Sequence, residues 1–282
     1  MRQVMLGETP VSGLALGGAS WSLADDPDVD GAIATVHAAL DHGITLFDTA
    51  RAYTTVDHRS HNEWLIAKAL AAHPAGDTAF VATKGGHFRA GSADFPVDGS
   101  PAALRRDCEQ SLEVLGRDTL DLFQLHRADD PSTVVEESVA TLAELRDEGK
   151  IRYVGLCNVT VAQLETARAI TRIDAVQNHY SPLRRDDGTL EYCAHAQIPF
   201  LAYSPLGGSS AAARLETDLA AFRRVAETRG LAVAQVVIAW LTSIPAIVVP
   251  IVGTRRPAHV VELAEAASVE LTPQELAVLS AA

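Results

Sequence analysis

The chain has few cysteines and no long hydrophobic run. Its three cysteines, Cys108, Cys157 and Cys193, are isolated and form no C-x-x-C pair, which argues against disulfide bonds and against a structural zinc site. No stretch approaches the roughly 20 consecutive apolar residues of a membrane-spanning helix. Residues 1–7 form too short an apolar run for a secretory signal. These absences predict a cytoplasmic protein that has no bound metal and no membrane partner.

Positive charge is also scarce. The 282 residues include 23 lysines and arginines against 36 aspartates and glutamates, which gives a net charge of −13. The basic residues form no stripe along the chain, so a nucleic acid partner is not expected. The hydrophobic share of 48% is enough for a sizeable core. We therefore expect one domain over residues 1–282, as a monomer or a weak homo-oligomer.

Short apolar runs alternate with helix-like segments along the sequence. Eight such runs are typical of buried strands in a parallel sheet. The predicted strands cover residues 14–16, 44–48, 78–84, 120–126, 153–156, 175–177, 200–203 and 246–251. The predicted helices cover residues 30–43, 62–71, 101–116, 132–149, 161–170, 215–229 and 233–242. A possible hairpin at residues 3–11 precedes them, extra helices at 257–266 and 273–280 follow, and Ser132 is predicted to cap its helix.

The alternation predicts a (β/α)8 TIM barrel, which is an α/β fold. An open doubly wound sheet is less favoured, because no G-x-G-x-x-G follows the first strand. Catalytic residues of such barrels come from the C-terminal ends of the strands. Asp48, Lys84 and His126 end three successive predicted strands, and Tyr53 follows in the loop after Asp48. These four side chains are therefore expected at one rim of the barrel.

The four residue types suit proton transfer at an oxygen atom. A tyrosine phenol titrates near pH ~10, and a lysine ammonium close by lowers that pKa by about one to three units. A buried ammonium needs a carboxylate partner, and Asp48 is of the right type. A histidine at the neighbouring strand end could orient a substrate oxygen. Because none of these groups supplies electrons, a reaction at a carbonyl also needs a hydride carrier.

The sequence resembles the aldo-keto reductases on several short segments, from about residue 14 to about residue 262. They are residues 47–53 (Phe-Asp-Thr-Ala-Arg-Ala-Tyr), 82–84 (Ala-Thr-Lys), 125–126 (Leu-His), 147–152 (Asp-Glu-Gly-Lys-Ile-Arg) and 154–158 (Val-Gly-Leu-Cys-Asn). The resemblance implies a TIM barrel that moves hydride between NADP(H) and a carbonyl or alcohol substrate without a metal. It further implies that Tyr53 is the general acid/base, that Lys84 lowers the pKa of Tyr53, that Asp48 holds Lys84 and that His126 orients the carbonyl.

The resemblance also implies a set of cofactor-binding residues. Amides would hold the nicotinamide carboxamide, an aromatic ring would stack on the nicotinamide, and two loops would bind the phosphates. The amides are Asn158 and Gln177, and the aromatic ring is Tyr203. The first phosphate loop contains Ser204, Leu206 and Gly207, and the second contains Gly253, Thr254, Arg255 and Arg256. Trp21, His259 and Glu262 are further residues implied to bind the cofactor. The chain departs from the family pattern at Cys157, often serine, at His259, often arginine, and at Leu263, often asparagine.

Substrate specificity on this fold comes from the loops at the C-terminal rim. The candidate substrate residues are Trp21, Phe88, Arg89, Arg127 and Tyr180, with His87, Phe95 and residues 207–213 nearby. This mixture of aromatic and basic side chains suits a polar, ring-shaped or anionic carbonyl compound. Within the family, the sequence looks closest to bacterial members that act on pyridoxal, sugars or small ketones. Residues 85–100 form either a mobile lid or an ordered surface excursion.

Two other functions remain open from the sequence alone. The first is a non-catalytic NADP(H)-binding sensor or regulatory subunit. The second is an aldolase in which Lys84 forms a Schiff base with its substrate. The direction of the oxidoreductase reaction is equally open, since the same four residues serve reduction and oxidation.

Overall fold

Eight parallel strands close into a barrel in the computed structural model, which describes residues 1–23, 26–55, 58, 60–91, 94–185, 188–208, 214–244 and 248–281. A separate antiparallel hairpin pairs β1 with β2. Around the barrel the order is β10-β3-β4-β5-β6-β7-β8-β9. The strands are β1 (Gln3–Leu6), β2 (Thr9–Ser12), β3 (Ala15–Gly17), β4 (Leu46–Asp48), β5 (Phe80–Gly85), β6 (Leu120–Leu125), β7 (Ile151–Cys157), β8 (Ala175–His179), β9 (Phe200–Tyr203) and β10 (Val248–Gly253). The predicted TIM barrel is confirmed, and the closure excludes the open doubly wound sheet.

Helices connect the strands and surround the barrel. They are α1 (Ala19–Ser22), α2 (Val29–Asp41), α3 (His61–Ala71), α4 (Pro101–Leu115), α5 (Val135–Asp147), α6 (Val161–Ile170), α7 (Thr189–Ala196), α8 (Leu215–Asp218), α9 (Ala220–Arg229), α10 (Val233–Ser243), α11 (Pro257–Ala266) and α12 (Pro273–Ala281). A short 3-10 turn, Gly76–Thr78, precedes β5. The extra helices α11 and α12 lie where the sequence predicts them.

Local capping residues define where α4 begins and ends. The Ser100 side chain accepts a hydrogen bond from the Ala103 amide, and Pro101 occupies the first turn, where its missing N–H costs nothing. Gly116 follows in the left-handed conformation, with φ of 63°, which ends the helix without a steric penalty. The predicted helix over residues 101–116 therefore agrees with the structure.

Three local predictions need correction. Ser132 does not cap α5, because its amide and hydroxyl both donate to Asp130 Oδ1, at 2.9 and 2.6 Å, and the helix begins only at Val135. Helix α7 was not predicted, since the sequence between the sixth and seventh strands shows no clear apolar period. The last strand starts at Val248, and the predicted strand residues 246 and 247 lie outside the described part of the chain.

The N-terminal hairpin closes one end of the barrel. Val4, Leu6 and Val11 pack with inward-facing side chains of the barrel strands, such as Leu46 and Leu122. Neighbouring strand residues face outward into the larger core beneath the helices, as expected from the alternation of side chains along a strand. Apolar residues of the hairpin therefore cover the N-terminal end of the barrel interior.

Within the described ranges, no single helix has the length and apolar character needed to cross a membrane. Helices α9 and α10 together have the length and apolar composition of a membrane span, but the pair is bent by 101° at the break between the two helices.

The closure of the barrel by the hairpin predicts unequal effects of two neighbouring substitutions. Leu6→Ala removes a side chain with 0% exposure, so it should lower the free energy of unfolding by about 2–5 kcal/mol, as for other large-to-small core changes. Met5→Ala, one residue away and 52% exposed, is the matched control and should change it by less than about 0.5 kcal/mol. Urea unfolding measures both, and equal effects would contradict a buried plug.

Candidate active site

A fully buried lysine forms the base of the site. Lys84 on β5 has 0% exposure, and its Nζ donates to both carboxylate oxygens of Asp48 at 2.8 Å and to the Thr49 carbonyl at 2.7 Å. The three N–H groups of the ammonium are therefore all satisfied by protein. Burial is the largest single effect on the pKa of Lys84 and lowers it, but the charges of Asp48, Tyr53 and Cys157 together outweigh burial and raise that pKa above its ordinary value. Lys84 is consequently a fixed cation.

Pairing of β4 with β5 brings the two residues of this ion pair together. Asp48 lies opposite Ala82 in the parallel register, and Asp48 is the last residue of its strand. On the far side, Gln177 Nε2 of β8 donates to Asp48 Oδ1 at 2.8 Å. Each carboxylate oxygen therefore accepts a defined donor, and the orientation of Asp48 is set from two strands.

Tyr53 lies above the lysine in the loop after β4. The Lys84 Nζ is 5.0 Å from the centre of the Tyr53 ring. The loop is fixed by backbone hydrogen bonds, from Arg51 N to Lys84 O at 3.1 Å and from Tyr53 N to Ala50 O at 3.0 Å. Burial raises the pKa of Tyr53 to about 12, and the Lys84 ammonium opposes that rise without cancelling it. The net direction is therefore opposite to the lowering predicted from the lysine alone.

His126 completes the group of four at the end of β6. Its ring lies edge to face with the Tyr53 ring at 5.8 Å and with the His87 ring at 4.8 Å. Burial lowers the pKa of His126 well below its ordinary value, and the Lys84, His87 and Arg127 charges act in the same direction. His126 is thus neutral at neutral pH, so its ring offers one N–H donor and one acceptor nitrogen.

A buried ion pair supports this loop from behind. Glu63 on α3 is 0% exposed, and its Oε1 accepts hydrogen bonds from Thr83 at 2.7 Å and from Ser111 at 2.6 Å. Its Oε2 lies 3.6 Å from Arg51 Nη1, and Arg51 also donates to Gln110. Since Thr83 precedes Lys84 and Arg51 precedes Tyr53 by two residues, the pair links α3 and α4 to both catalytic candidates.

The four candidates meet at one cleft at the C-terminal ends of the strands. The cleft measures about 690 Å³, and its lining includes Asp48, Tyr53 and His126, while Lys84 lies just behind it. The predicted cofactor residues Asn158, Gln177, Tyr203, Ser204, Leu206 and Gly253 line the same cleft, as does the predicted substrate residue Arg127. A cavity of about 770 Å³ around Arg2 and Arg168 lies at the opposite end of the barrel, away from all four candidates.

Asn158 and Tyr203 form a hydrogen-bonded wall of the cleft. Asn158 adopts a left-handed backbone with φ of 55°, which places its amide between two strand ends. Asn158 Nδ2 donates to the His126 carbonyl at 2.9 Å, and the Tyr203 hydroxyl donates to Asn158 Oδ1 at 2.8 Å. One face of the Tyr203 ring stacks on His179 at 5.3 Å with an interplanar angle of 29°. Hydrogen bonds and ring stacking therefore fix the orientation of this wall.

Two predicted site residues belong to the core instead. Trp21 is 2% exposed, and its indole N–H donates to the Thr254 carbonyl at 2.7 Å. Tyr180 is 7% exposed and lies against Phe200 and Trp240. Neither side chain lines the cleft, because each points into the packing between barrel and helices. The predicted direct contacts of Trp21 and Tyr180 with a ligand are corrected accordingly, and Trp21 supports the loop at Thr254.

The loop after β5 is a hydrogen-bonded excursion over its described residues. His87 pairs with Val97 in an antiparallel bridge, and Asp98 N donates to Gly86 O at 3.0 Å. His87 lines the cleft. Phe88, which is 38% exposed, and Arg89, which donates to the Thr54 carbonyl at 2.5 Å, lie beyond the cleft lining. His87 is therefore the residue of this loop that lines the cleft, and the substrate contacts of Phe88 and Arg89 stay predictions.

The predicted 2′-phosphate residues lie at the surface between β10 and α11. Arg255 donates to the Asp26 carbonyl at 2.9 Å, and Arg256 donates to the His259 ring. Glu262 is exposed on the following helix, one turn further along. The partners of both guanidinium groups are thus uncharged, and neither group pairs with a carboxylate in the described ranges. Of the predicted stretch 207–213, residues 209–213 lie outside the described part.

The cleft suits an extended dinucleotide. Gly207 and Gly208 follow Ser204 with φ values of 83° and 85°, so the chain turns there without presenting a side chain. Gly207 N donates to Ser204 O at 2.8 Å, which tightens the turn beside the cleft. Polar amides at one end and a side-chain-free turn at the other match a nicotinamide ring joined to phosphates. Among the described residues, no cluster of three or more His, Cys, Asp or Glu could hold a metal ion.

Residues 13–282 match the family model described as "Aldo/keto reductase family". The chain belongs to the aldo/keto reductase family. Membership makes it an oxidoreductase of the NADP(H)-dependent class, as the motifs around Asp48, Tyr53, Lys84 and His126 predict. The assignment of roles to those four residues stays a prediction.

Relatives agree with this assignment over nearly the whole chain. An "Aldo-keto reductase" of Gibberella moniliformis is 30% identical over 300 residues, covering 95% of this chain and 89% of the relative. A "6-dehydroglucose reductase" of Novosphingobium aromaticivorans is 32% identical over 297 residues, covering 98% and 94%.

Solved structures also share the fold. The glycerol dehydrogenase of Gluconobacter oxydans superposes with a TM-score of 0.84 at 27% identity, over 99% of this chain and 94% of that one. A Klebsiella pneumoniae aldo/keto reductase in complex with NADP and acetate gives a TM-score of 0.82 at 27% identity, over 99% and 94%.

The family sequence signal did not reveal every residue of the cleft. Ser20, Asp129 and Arg184 line it but were not predicted, because none of them lies in a segment that carries the family resemblance. Arg184 lies only five residues after the end of β8. This short distance from a C-terminal strand end could have predicted that Arg184 lies near the cleft.

The buried pair of Glu63 and Arg51 predicts a large loss of stability when one member is removed. Glu63→Gln leaves the Arg51 charge buried without a carboxylate, so the free energy of unfolding should fall by about 3–5 kcal/mol. Glu109→Gln is the matched control, because Glu109 is 55% exposed and pairs with Lys150 at the surface, where a pair contributes about 0–1 kcal/mol. Urea unfolding of both variants tests this, and a loss below about 1 kcal/mol for Glu63→Gln would contradict it.

Proposed function

We propose that the protein reduces carbonyl compounds or oxidises alcohols with NADP(H), using Tyr53 as the general acid/base. The observation that carries the proposal is the chain from Asp48 through Lys84 to Tyr53, with His126 beside Tyr53 in the same cleft. Each member has a distinct task because the four differ in burial and charge.

The proton is held by Tyr53. With a pKa raised to about 12, the phenol stays protonated at neutral pH and can donate to an oxygen that gains negative charge. Donation leaves a phenolate, and the Lys84 ammonium 5.0 Å from the ring stabilises that negative charge. In the oxidation direction the phenolate accepts the alcohol proton, and the same ammonium favours the phenolate. Lys84 therefore assists both directions without giving up its own proton.

His126 orients the substrate oxygen. As a neutral imidazole it can donate one hydrogen bond without competing with Tyr53 for the proton, since the lowered pKa of His126 makes its protonated form unfavourable. Tyr53 and His126 lie edge to face at 5.8 Å, so an oxygen between them can contact both. This arrangement supports positioning by His126 and proton transfer by Tyr53.

The cofactor supplies hydride when bound, and the residues of this chain would hold its nicotinamide at the catalytic end of the cleft. Asn158 and Gln177 offer amides at the strand ends, and the free face of the Tyr203 ring offers a stacking surface against the nicotinamide. The turn at Ser204, Leu206 and Gly207 would follow the pyrophosphate. Arg255 and Arg256 would bind the 2′-phosphate, because guanidinium groups donate paired hydrogen bonds to phosphate.

The names of two relatives and the lining of the cleft bear on the class of substrate. Relatives named for 6-dehydroglucose and glycerol carry the names of a sugar-like and a polyol compound, and the lining of this cleft includes polar side chains such as Arg127, Asn158 and Gln177. We therefore expect polar carbonyl compounds and polyols to be better substrates than simple hydrocarbons that carry a carbonyl. The strand and helix alternation supports a single barrel domain over residues 1–282.

The aldolase alternative is disfavoured by the state of Lys84. A Schiff base forms from an uncharged amine, whereas the Lys84 ammonium is fully buried, has three acceptors and a raised pKa. Lys84 also lies behind the cleft and not in its lining. The remaining alternative is a sensor that binds NADP(H) without catalysis. Turnover of any carbonyl substrate would exclude this alternative.

Removal of the Tyr53 hydroxyl should separate chemistry from cofactor binding. Tyr53→Phe should lower kcat by about 100- to 10,000-fold, which is the usual contribution of a positioned acid, while the Kd for NADPH stays within about twofold. Tyr192→Phe is the matched control, since the Tyr192 hydroxyl accepts a bond from Arg168 on the outer surface. Steady-state rates with a panel of polar aldehydes, and fluorescence titration with NADPH, measure the two effects. A Tyr53→Phe variant that kept most of its kcat would show that another group donates the proton.

Loss of the two loop arginines should weaken binding of NADPH selectively. In Arg255→Ala/Arg256→Ala the KM for NADPH should rise by at least about tenfold, the size of a lost charge-assisted bond to phosphate, while the KM for NADH changes little. Arg223→Ala/Arg224→Ala on α9 removes the same charge elsewhere and serves as control. Equal changes for the two cofactors would mean that these arginines are surface charges only.

A further inference from the structure

The charges around the cleft do not cancel. Its charged lining residues are Asp48, Arg127, Asp129 and Arg184. Asp48 pairs with Lys84 at 2.8 Å, and Arg127 donates to both oxygens of Asp129 at 2.7 and 3.0 Å. Arg184 has no carboxylate partner in the part of the chain that the structure describes. Among the described residues, the cleft of this chain, whose net charge is −13, therefore contains one cation, Arg184, without a carboxylate partner.

Arg184 is held in place by the wall of the cleft. Its backbone pairs with Ser181 at 3.1 Å in both directions, which closes the turn after β8. Its Nη1 donates to His179 Nδ1 at 3.3 Å, and the His179 ring stacks on Tyr203. Tyr203 in turn donates to Asn158. A continuous set of contacts thus joins the Arg184 guanidinium to the residues beside the catalytic candidates.

The contact with His179 leaves most of the guanidinium available. Because a guanidinium only donates, His179 Nδ1 is the acceptor and the His179 proton lies on Nε2. His179 is therefore a neutral partner that orients Arg184 without neutralising it. The other N–H groups of the guanidinium have no acceptor among the described residues. Their planar fork matches the two oxygens of a carboxylate or of a phosphate.

We propose that Arg184 binds an anionic group of the substrate, so that the natural substrate is a carbonyl compound or alcohol carrying a carboxylate or phosphate. The inference rests on the proposed reductase activity, which brings the reacting carbonyl to Tyr53 and His126. The anionic group would then lie beyond Tyr203, on the side of the cleft that Arg184 lines. A pyrophosphate of the cofactor shares this chemistry and is the competing source of the anion.

A matched pair of substrates tests the charge alone. The probes are 4-formylbenzoate and 4-formylbenzamide, which have the same shape and differ by one negative charge. The wild-type protein should favour the benzoate in kcat/KM, and Arg184→Gln should reduce that preference by about tenfold, as for loss of a hydrogen bond to a charged group. Arg184→Lys should keep part of it, because it keeps the charge. Added salt should reduce the wild-type preference, since Arg184 is exposed.

The neighbouring arginine provides a control with the same change in net charge. Arg185 stacks on Trp240 at 4.5 Å and donates to the Leu279 carbonyl, away from the cleft. Arg185→Gln should keep the wild-type preference. An unchanged preference in Arg184→Gln would overturn the proposal, as would an equal loss in both arginine variants.

Two further measurements separate this proposal from the others. If Arg184→Gln raised the Kd for NADPH and left the substrate preference unchanged, the anion would belong to the cofactor and the substrate proposal would be wrong. If the wild-type protein reduced neither these two aldehydes nor any polar aldehyde of the panel used for Tyr53→Phe, the proposed carbonyl reduction would be wrong. Calorimetric binding of the same two compounds would then still decide the anion site, since selective binding of the benzoate that disappears in Arg184→Gln supports it and equal binding overturns it.

Discussion

The hydrogen bonds from Lys84 to Asp48 and to Thr49 are the interaction on which the rest of the site depends. An ammonium with no exposure would be very unfavourable without partners, and here all three of its N–H groups have an acceptor. Asp48 is itself held by Gln177. A cation is thereby kept in a dry place next to Tyr53, where water would otherwise weaken its field. The catalytic chemistry proposed here requires that fixed charge.

The barrel supplies this arrangement at low cost in conformational freedom. Asp48 and Lys84 lie on adjacent parallel strands whose register is set by the apolar side chains that face the interior. Tyr53 depends on a loop, and that loop is tied to β5 through the Arg51 amide and to α3 through the Arg51 side chain. A loop with so many anchors behaves as part of the scaffold, which is what a proton donor needs to meet an oxygen in a defined position.

Sequence reasoning reached the architecture and the group of four because both depend on local pattern. Short apolar runs ending in a polar residue were sufficient to predict the strands, because strands that are buried on both faces appear as nearly continuous hydrophobic runs. Failures occurred where the outcome depends on distant contacts. The burial of Trp21 and Tyr180 is decided by Thr254, Phe200 and Trp240, none of which is near in sequence. Arg184 was missed because the cancellation of charges across a cleft is visible only in three dimensions.

The direction of the Tyr53 pKa shift explains why the lysine must be buried as well. A dry site strengthens the field of Lys84, but the same dryness raises the pKa of the phenol, and burial is the larger of the two effects in this structure. With a solvated lysine, screening would remove the opposing effect and leave only the rise. The carboxylate of Asp48 is needed to make burial of the ammonium possible, yet its negative charge also acts against the phenolate. The net assistance to Tyr53 therefore depends on geometry, because the Lys84 Nζ that pairs with Asp48 at 2.8 Å is also held 5.0 Å from the centre of the phenol ring.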